Sequence, residues 1–96
     1  MNTEERQQRF ALGRIVATPG ALEALDEAGQ EWLTFLQRHA VGDWGELDPH
    51  DLRENEDALL RGGRLFSGYT LSNGQRLWII TEWDRSVTTL LLPQEY

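Results

Sequence analysis

The sequence predicts an α+β domain: an N-terminal strand, two to three helices, then a three-stranded antiparallel β-meander packed on the helices. Three observations point there. Apolar residues recur at helical spacing between Thr18 and Arg61, aromatic and β-branched residues alternate from Arg64 onward, and Asn73-Gly74 sits between two of those alternating runs. A strand, then helices, then consecutive strands is the order that lays helices on one face of an antiparallel sheet.

Met1–Gln8 reads as a polar tail, and residues 9–96 as one domain. Arg9 to Ala17 alternates loosely and is expected as the first strand. Thr18-Pro19 is a helix start, with Thr as N-cap and Pro in the first helical position. Leu22, Leu25 and Ala28 supply its apolar stripe, and Gly29 its stop. A second helix is expected from Gln30 to Ala40, burying Trp32, Leu33, Phe35 and Leu36. Asp48-Pro49 opens a third, with Leu52, Leu59 and Leu60 as its apolar contacts and Asp57/Arg61 at a favourable i,i+4 spacing; Gly62-Gly63 ends it. Strands follow at Arg64–Leu71, Arg76–Trp83 and Ser86–Leu92, and Pro93 stops the last.

If Asn73-Gly74 is a two-residue turn, Tyr69 lies opposite Trp78, Ser67 opposite Ile80 and Phe66 opposite Thr81. A two-residue turn at Asp84-Arg85 sets Thr81 opposite Thr88 and Ile79 opposite Leu90. One face then carries Phe66, Leu77, Ile79, Leu90 and Leu92, with Arg64, Thr81, Trp83, Ser86 and Thr88 at its far end. The other carries Leu65, Tyr69, Trp78, Ile80, Val87 and Leu91. Both faces are apolar, so the second is expected either under the protein's own chain or against a partner.

Composition narrows the function classes. The 96 residues include no Cys, which excludes disulfides, a thiolate nucleophile and a Cys-based zinc site. The longest apolar runs, Trp78–Ile80 and Leu90–Leu92, are far too short to cross a bilayer, and the polar start lacks the apolar stretch of a signal peptide. A cytoplasmic protein is expected, with no membrane association. Net charge is -7, and the segment from Asp43 to Asp57 holds seven acids against Arg53 alone. Such a field repels phosphate backbones, so nucleic acid is not expected as a general partner; another protein, or a second copy of the chain, is.

Four groups of residues invite a chemical reading. His39, near the end of the second helix, suits a general acid or base, although a His at a helix C-terminus is also favoured there by the dipole. Asp43, Trp44 and Glu46 lie in Gly42-Asp43-Trp44-Gly45-Glu46, where the glycines permit a tight loop, Trp44 can plug the core and the acids can bind. Arg64 and Arg85 could clamp an anion with Thr81, Ser86 and Thr88 as hydroxyl donors, or simply pair with Glu82 and Asp84. Asp51, Glu54 and Asp57 line the acidic helix, as a solvated face or a binding surface. His39, Asp43, Glu46 and His50 match no familiar metal-ligand spacing, so no metal and no cofactor are expected.

Ala17-Thr18-Pro19-Gly20-Ala21-Leu22-Glu23-Ala24-Leu25, Arg38-His39, the Gly42–Glu46 loop, Asn55, Trp78–Glu82 and Leu90–Pro93 together resemble a family of small bacterial proteins tied to plasmids and other mobile elements. The likeness spans the chain after its tail and implies that context without a mechanism. In topology the chain is also similar to the RelE/ParE toxins and, more loosely, to barnase-like nucleases. That analogy implies metal-independent RNA cleavage with His39, Arg64, Thr81, Arg85 and Thr88 in the polar roles, against which stands the acidic balance. The leading expectation is a non-enzymatic interaction or accessory module, with a nuclease-like cleft as the alternative.

Overall fold

The computed structural model of the protein describes residues 7–96, so the polar tail expected over Met1–Gln8 lies, from residue 1 to 6, outside the described residues. The elements are β1 (Arg14–Ala17), α1 (Pro19–Ala28), α2 (Trp32–Ala40), α3 (Pro49–Arg61), β2 (Leu65–Thr70), β3 (Arg76–Thr81), β4 (Val87–Leu91) and a 3-10 turn at Pro93–Glu95. They make an α+β domain with one mixed sheet in the order β1-β4-β3-β2, where β1 runs parallel to β4 and the other neighbours are antiparallel.

Helix boundaries follow local chemistry. Thr18 Oγ1 accepts from the Ala21 N–H at 3.1 Å, Pro19 opens α1, and Gly29 closes it at φ 68°. Asp48 caps α3 in the same way, accepting from the Asp51 N–H at 2.8 Å, and Asp57 pairs with Arg61 at 2.9 Å. The buried faces differ from the expected ones. In α1 the small side chains Ala21 and Ala24 turn inward beside Leu25, while Leu22 is left in water. In α2 the inward set is Phe35, Leu36, His39 and Ala40, and Trp32 and Leu33 are exposed. In α3 it is Asn55 and Ala58, with Leu60 85% exposed. In α1 and α3 the alanines turned to the sheet let the helix backbones approach it, while Leu22 and Leu60 are rotated outward.

The first strand is shorter than the run from Arg9. Gly13 adopts φ 66°, and a Cβ there would fall 2.3 Å from the Ser86 carbonyl oxygen, so the chain bends where it meets β4. Upstream it forms a strap instead of a strand: the Arg9 N–H donates to the Ala40 carbonyl at 2.8 Å, and Phe10 packs on His39 and Trp44.

The β3–β4 register is the expected one, with Thr81 opposite Thr88 and Ile79 opposite Leu90. The turn is longer than two residues, since the Glu82 N–H donates to the Val87 carbonyl, but the added length is even and parity survives. The β2–β3 register is shifted by one. Tyr69 faces Leu77, Phe66 faces Ile80 and Leu65 faces Thr81. The cause is a three-residue loop, Ser72-Asn73-Gly74, closed by the Leu71 N–H to the Gln75 carbonyl, with Gly74 at φ 89°. Ser72 anchors this loop to the end of α1 through the Ala28 carbonyl and to Gln30 Oε1. A slip of one residue reverses every side chain of β2. The inner face is therefore Leu65, Ser67 and Tyr69 with Leu77, Ile79, Thr81, Thr88 and Leu90, all buried. Phe66 moves to the outer face with Trp78, Ile80 and Leu91, where the C-terminal turn brings Tyr96 to within 5.8 Å of Trp78 between ring centroids.

The β2 edge is closed from within the chain. Asn55, 2% exposed, receives the Phe66 N–H on Oδ1 at 3.0 Å and donates Nδ2 to the Phe66 carbonyl at 2.7 Å. One pair along, the Gly68 N–H donates to the Trp44 carbonyl and the Glu46 N–H to the Gly68 carbonyl. Asn55→Ala leaves both backbone groups of Phe66 without partners and should cost about 1–3 kcal/mol. Urea unfolding should show a lower midpoint at unchanged slope; a loss below about 0.5 kcal/mol, within the range of an ordinary surface substitution, would show that this edge does not need its amide clamp.

Candidate functional site

Three of the sequence-derived candidates meet inside the domain. His39, Thr81 and Thr88 are each fully buried, together with Ser67. Helix α2 carries His39 onto the inner face of the sheet, where the inward parity of β2, β3 and β4 presents Ser67, Thr81 and Thr88 in a row.

The direction of the hydrogen bonds follows from one fixed end. Thr88 Oγ1 donates to the Leu12 carbonyl at 2.7 Å, so it accepts from Thr81 Oγ1 at 2.7 Å. Thr81, its proton committed, accepts from His39 Nε2 at 2.9 Å. Burial holds the His39 pKa down to about 3, so the ring is neutral near pH 7. Its single proton sits on Nε2, and Nδ1 accepts from Ser67 Oγ at 2.5 Å. Every ring nitrogen and hydroxyl in the chain Ser67–His39–Thr81–Thr88–Leu12 is thereby satisfied. Phe10 and Trp44 close the ring edges at centroid distances of 5.2 and 5.6 Å.

Ser67 against a His nitrogen has the spacing of a nucleophile and its base. Both groups are sealed from solvent, and the imidazole resists the proton that a base must take up. The cluster therefore holds α2, three strands and the strap together. His39 is not a dipole-stabilised cation at the helix end, and its ring is oriented by the Ser67 and Thr81 hydroxyls and by no carboxylate among the described residues.

The arginines are engaged elsewhere. Arg85, at φ 61°, donates Nη1 to the Gly63 and Glu82 carbonyls and Nη2 to the Ala58 carbonyl, which ties the C-terminal end of α3 to the β3–β4 turn. Arg64 donates to the Tyr96 hydroxyl at 2.9 Å and pairs with Glu82 at 3.4 Å. The nuclease analogy requires His39 and an arginine to open into one cleft, whereas His39 is fully buried and both arginines bond to other described residues.

The loop residues also have internal partners. Asp43 pairs with Arg38 at 2.8 Å, whose guanidinium lies 4.5 Å from the centre of the Tyr69 ring. Burial pushes the Tyr69 phenol up to about 12, and its hydroxyl donates to the Asp43 carbonyl at 2.6 Å. Trp44 is buried and donates Nε1 to Glu56 at 3.0 Å. This bond, and the Arg9 side chain behind it, hold the Glu56 carboxyl below its ordinary range. Glu46 pairs with Arg76 at 2.9 Å. Gly45, at φ 79°, passes so close to Gly68 that a Cβ would lie 2.2 Å from its carbonyl oxygen. Of the acidic candidates, Glu54 and Asp57 stand exposed on α3 and Asp51 half-exposed beside them. No three His, Asp or Glu side chains among the described residues gather as metal ligands. No helix among them is long and apolar enough to cross a membrane.

What the fold leaves open is apolar. A hollow of about 220 Å³ on the outer sheet face is lined by Arg64, Phe66, Trp78, Ile80 and Tyr96. A wider groove of about 440 Å³ runs along α3 over Leu52, Leu59 and Leu60, rimmed by Arg9, Glu56 and Asp57. A third, of about 150 Å³, lies at β1 between Ile15, Leu22 and Trp32.

The buried imidazole makes stability depend on pH. In the unfolded chain it takes a proton near pH 6.5, whereas in the fold it stays neutral to about pH 3. Between those values the unfolded state binds more protons, so this contribution is complete above pH 6.5 and is lost as the pH falls toward 3. The total is on the order of 5 kcal/mol. His39→Gln should flatten the fall of the urea midpoint between about pH 6.5 and 4.5, relative to the wild type, while the carboxylates common to both titrate alike. Parallel curves for the two proteins would refute the neutral buried ring.

No protein-family model, curated protein or solved structure matches the chain.

Proposed function

We propose that the chain is a non-enzymatic protein-interaction module, an accessory protein whose mobile-element setting rests on the sequence resemblance. One contrast carries the reading. The groups best suited to chemistry, His39, Ser67, Thr81 and Thr88, are sealed and mutually satisfied, while Trp32, Leu33, Leu60 and other large apolar side chains stand in water. Binding surfaces are where aromatic and aliphatic side chains go unburied in the free protein.

Affinity capture with the purified protein, run in parallel with Leu60→Glu, Trp78→Ser and the triple change of Asp51, Glu54 and Asp57 to Lys, tests it. The expected result is a discrete protein retained by the wild type and lost by at least one well-folded variant. No retained protein, or one indifferent both to these variants and to Ile15→Lys at the exposed β1 edge, overturns the proposal. RNA cleavage that disappears in His39→Ala would also overturn it, by making the sealed cluster catalytic.

A further inference from the structure

The two edges of the sheet are treated differently. At β2 the outward-facing backbone of Phe66 and Gly68 is occupied by Asn55, Trp44 and Glu46. At β1 the bonds to β4 begin with the Arg14 N–H to the Ser86 carbonyl at 2.9 Å and end with the Thr18 N–H to the Leu90 carbonyl at 3.0 Å. Alternation along the strand turns the N–H and C=O groups of Ile15 and Ala17 away from β4. No described residue hydrogen-bonds to them, so β1 is an unpaired edge, the kind of template on which an extended chain adds.

Beside this edge lies the hollow formed by Ile15, Leu22 and Trp32. Their side chains are 36%, 47% and 42% exposed, and Leu33 next to them is 46% exposed. The surrounding charge has one sign. Residues 18–37 contain Glu23, Asp26, Glu27 and Glu31 and no Arg, Lys or His. None of the four acids forms an ion pair with a described residue. Asp26 stands one helical turn from Leu22, and Glu31 immediately precedes Trp32, so carboxylates flank the hollow. Arg14, the cation of β1, adjoins Ile15 but projects from the opposite face of the strand, away from the hollow.

We propose that the β1 edge receives an extended, positively charged segment of a partner protein. The segment adds as a fifth strand on Ile15 and Ala17, seats an apolar side chain between Leu22 and Trp32, and sets its cations against the acids of α1. This rests on the interaction reading and assigns it a surface and a partner chemistry. Charge selects the occupant: a second copy brings another net -7 to the same edge, whereas a basic strand is attracted to it.

The probe is a synthetic end-blocked heptapeptide alternating Arg with Val, compared with the same peptide carrying Glu in place of Arg. Amide NMR and hydrogen exchange report the site. The Arg peptide should shift the Ile15 and Ala17 amides most and slow their exchange, and the Glu peptide should not bind. Ala17→Pro removes the outward N–H without breaking a bond to β4, since an edge strand tolerates Pro there, and should weaken binding at least about tenfold. Ile15→Lys, at an exposed position, should do the same if the Pro variant fails to fold. Joint reversal of Asp26 and Glu31 to Arg should lower affinity by about tenfold and remove its salt dependence.

Equal binding of the two peptides, shifts confined to the outer sheet face or the α3 groove, or no binding at all overturns the proposal. So does a concentration-dependent dimer broken by Ala17→Pro, which would give the edge to a second copy. If a captured partner is lost on changing Leu60 or Trp78 and yet survives Ala17→Pro, this edge is the wrong surface while the interaction reading stands.

Discussion

The fold depends on keeping one imidazole neutral in the middle of its core. His39 sits between Ser67 on β2 and Thr81 on β3, and Thr81 passes the chain to Thr88 on β4 and then to the Leu12 carbonyl of the strap. Each of these groups would be costly to bury alone, at about 1–3 kcal/mol for an unsatisfied donor or acceptor. Buried as a set they cost little, because each donor has an acceptor and the last proton ends on a backbone oxygen. The same chain fixes geometry. It permits one tautomer of His39, one inward parity for β2, and one position for the strap over the ring.

The periphery is arranged to protect that core. Asn55 and the Gly42–Glu46 loop close the β2 edge, Trp44 and Phe10 cover the imidazole, and Arg85 gathers the carbonyls at the end of α3. Each device satisfies backbone groups where an element ends or an edge is bare. Most of the acids in the segment that carries the excess charge are drawn into this work: Asp43 holds Arg38, Glu46 holds Arg76, Glu56 holds Arg9 and Trp44, and Asp48 caps α3. Among the described residues the four acids between Thr18 and Gln37 form no ion pairs, and two of them, Asp26 and Glu31, lie next to residues of the hollow at β1.

The class, the element order, the helix caps and the Thr81–Thr88 pairing were legible in the sequence because each has a local cause. Thr18-Pro19, Asp48-Pro49 and Gly29 act within one turn of themselves. The parity of β2 was not legible in this way. Asn73-Gly74 suits a two-residue turn and also the last two positions of a three-residue one, and the choice is made by Ser72 bonding to the end of α1, forty-four residues away in sequence. That slip hid Ser67, since only the observed register turns it inward beside Tyr69. Trp32 and Leu33 were expected inside because they are large and apolar; in the fold Phe35, Leu36 and His39 occupy the inward side of α2. Asn55 stood out only within the resemblance and not for its role, because its partner, the Phe66 backbone, is tertiary.

The location of the polar groups bears on function more than their identity does. A Ser–His contact of 2.5 Å next to two threonines, met at the mouth of a cleft, would be read as a catalytic set. A general base must accept a proton near its working pH and reach the group it deprotonates. His39 meets neither condition: protonation would set a cation in an apolar enclosure and leave two donors where Ser67 now donates to Nδ1. Burial lowers its pKa, and the bonds enclosed with it, to Ser67 and Thr81, join α2 to β2 and β3. The outer sheet face, the α3 groove and the hollow at β1 present apolar side chains to solvent.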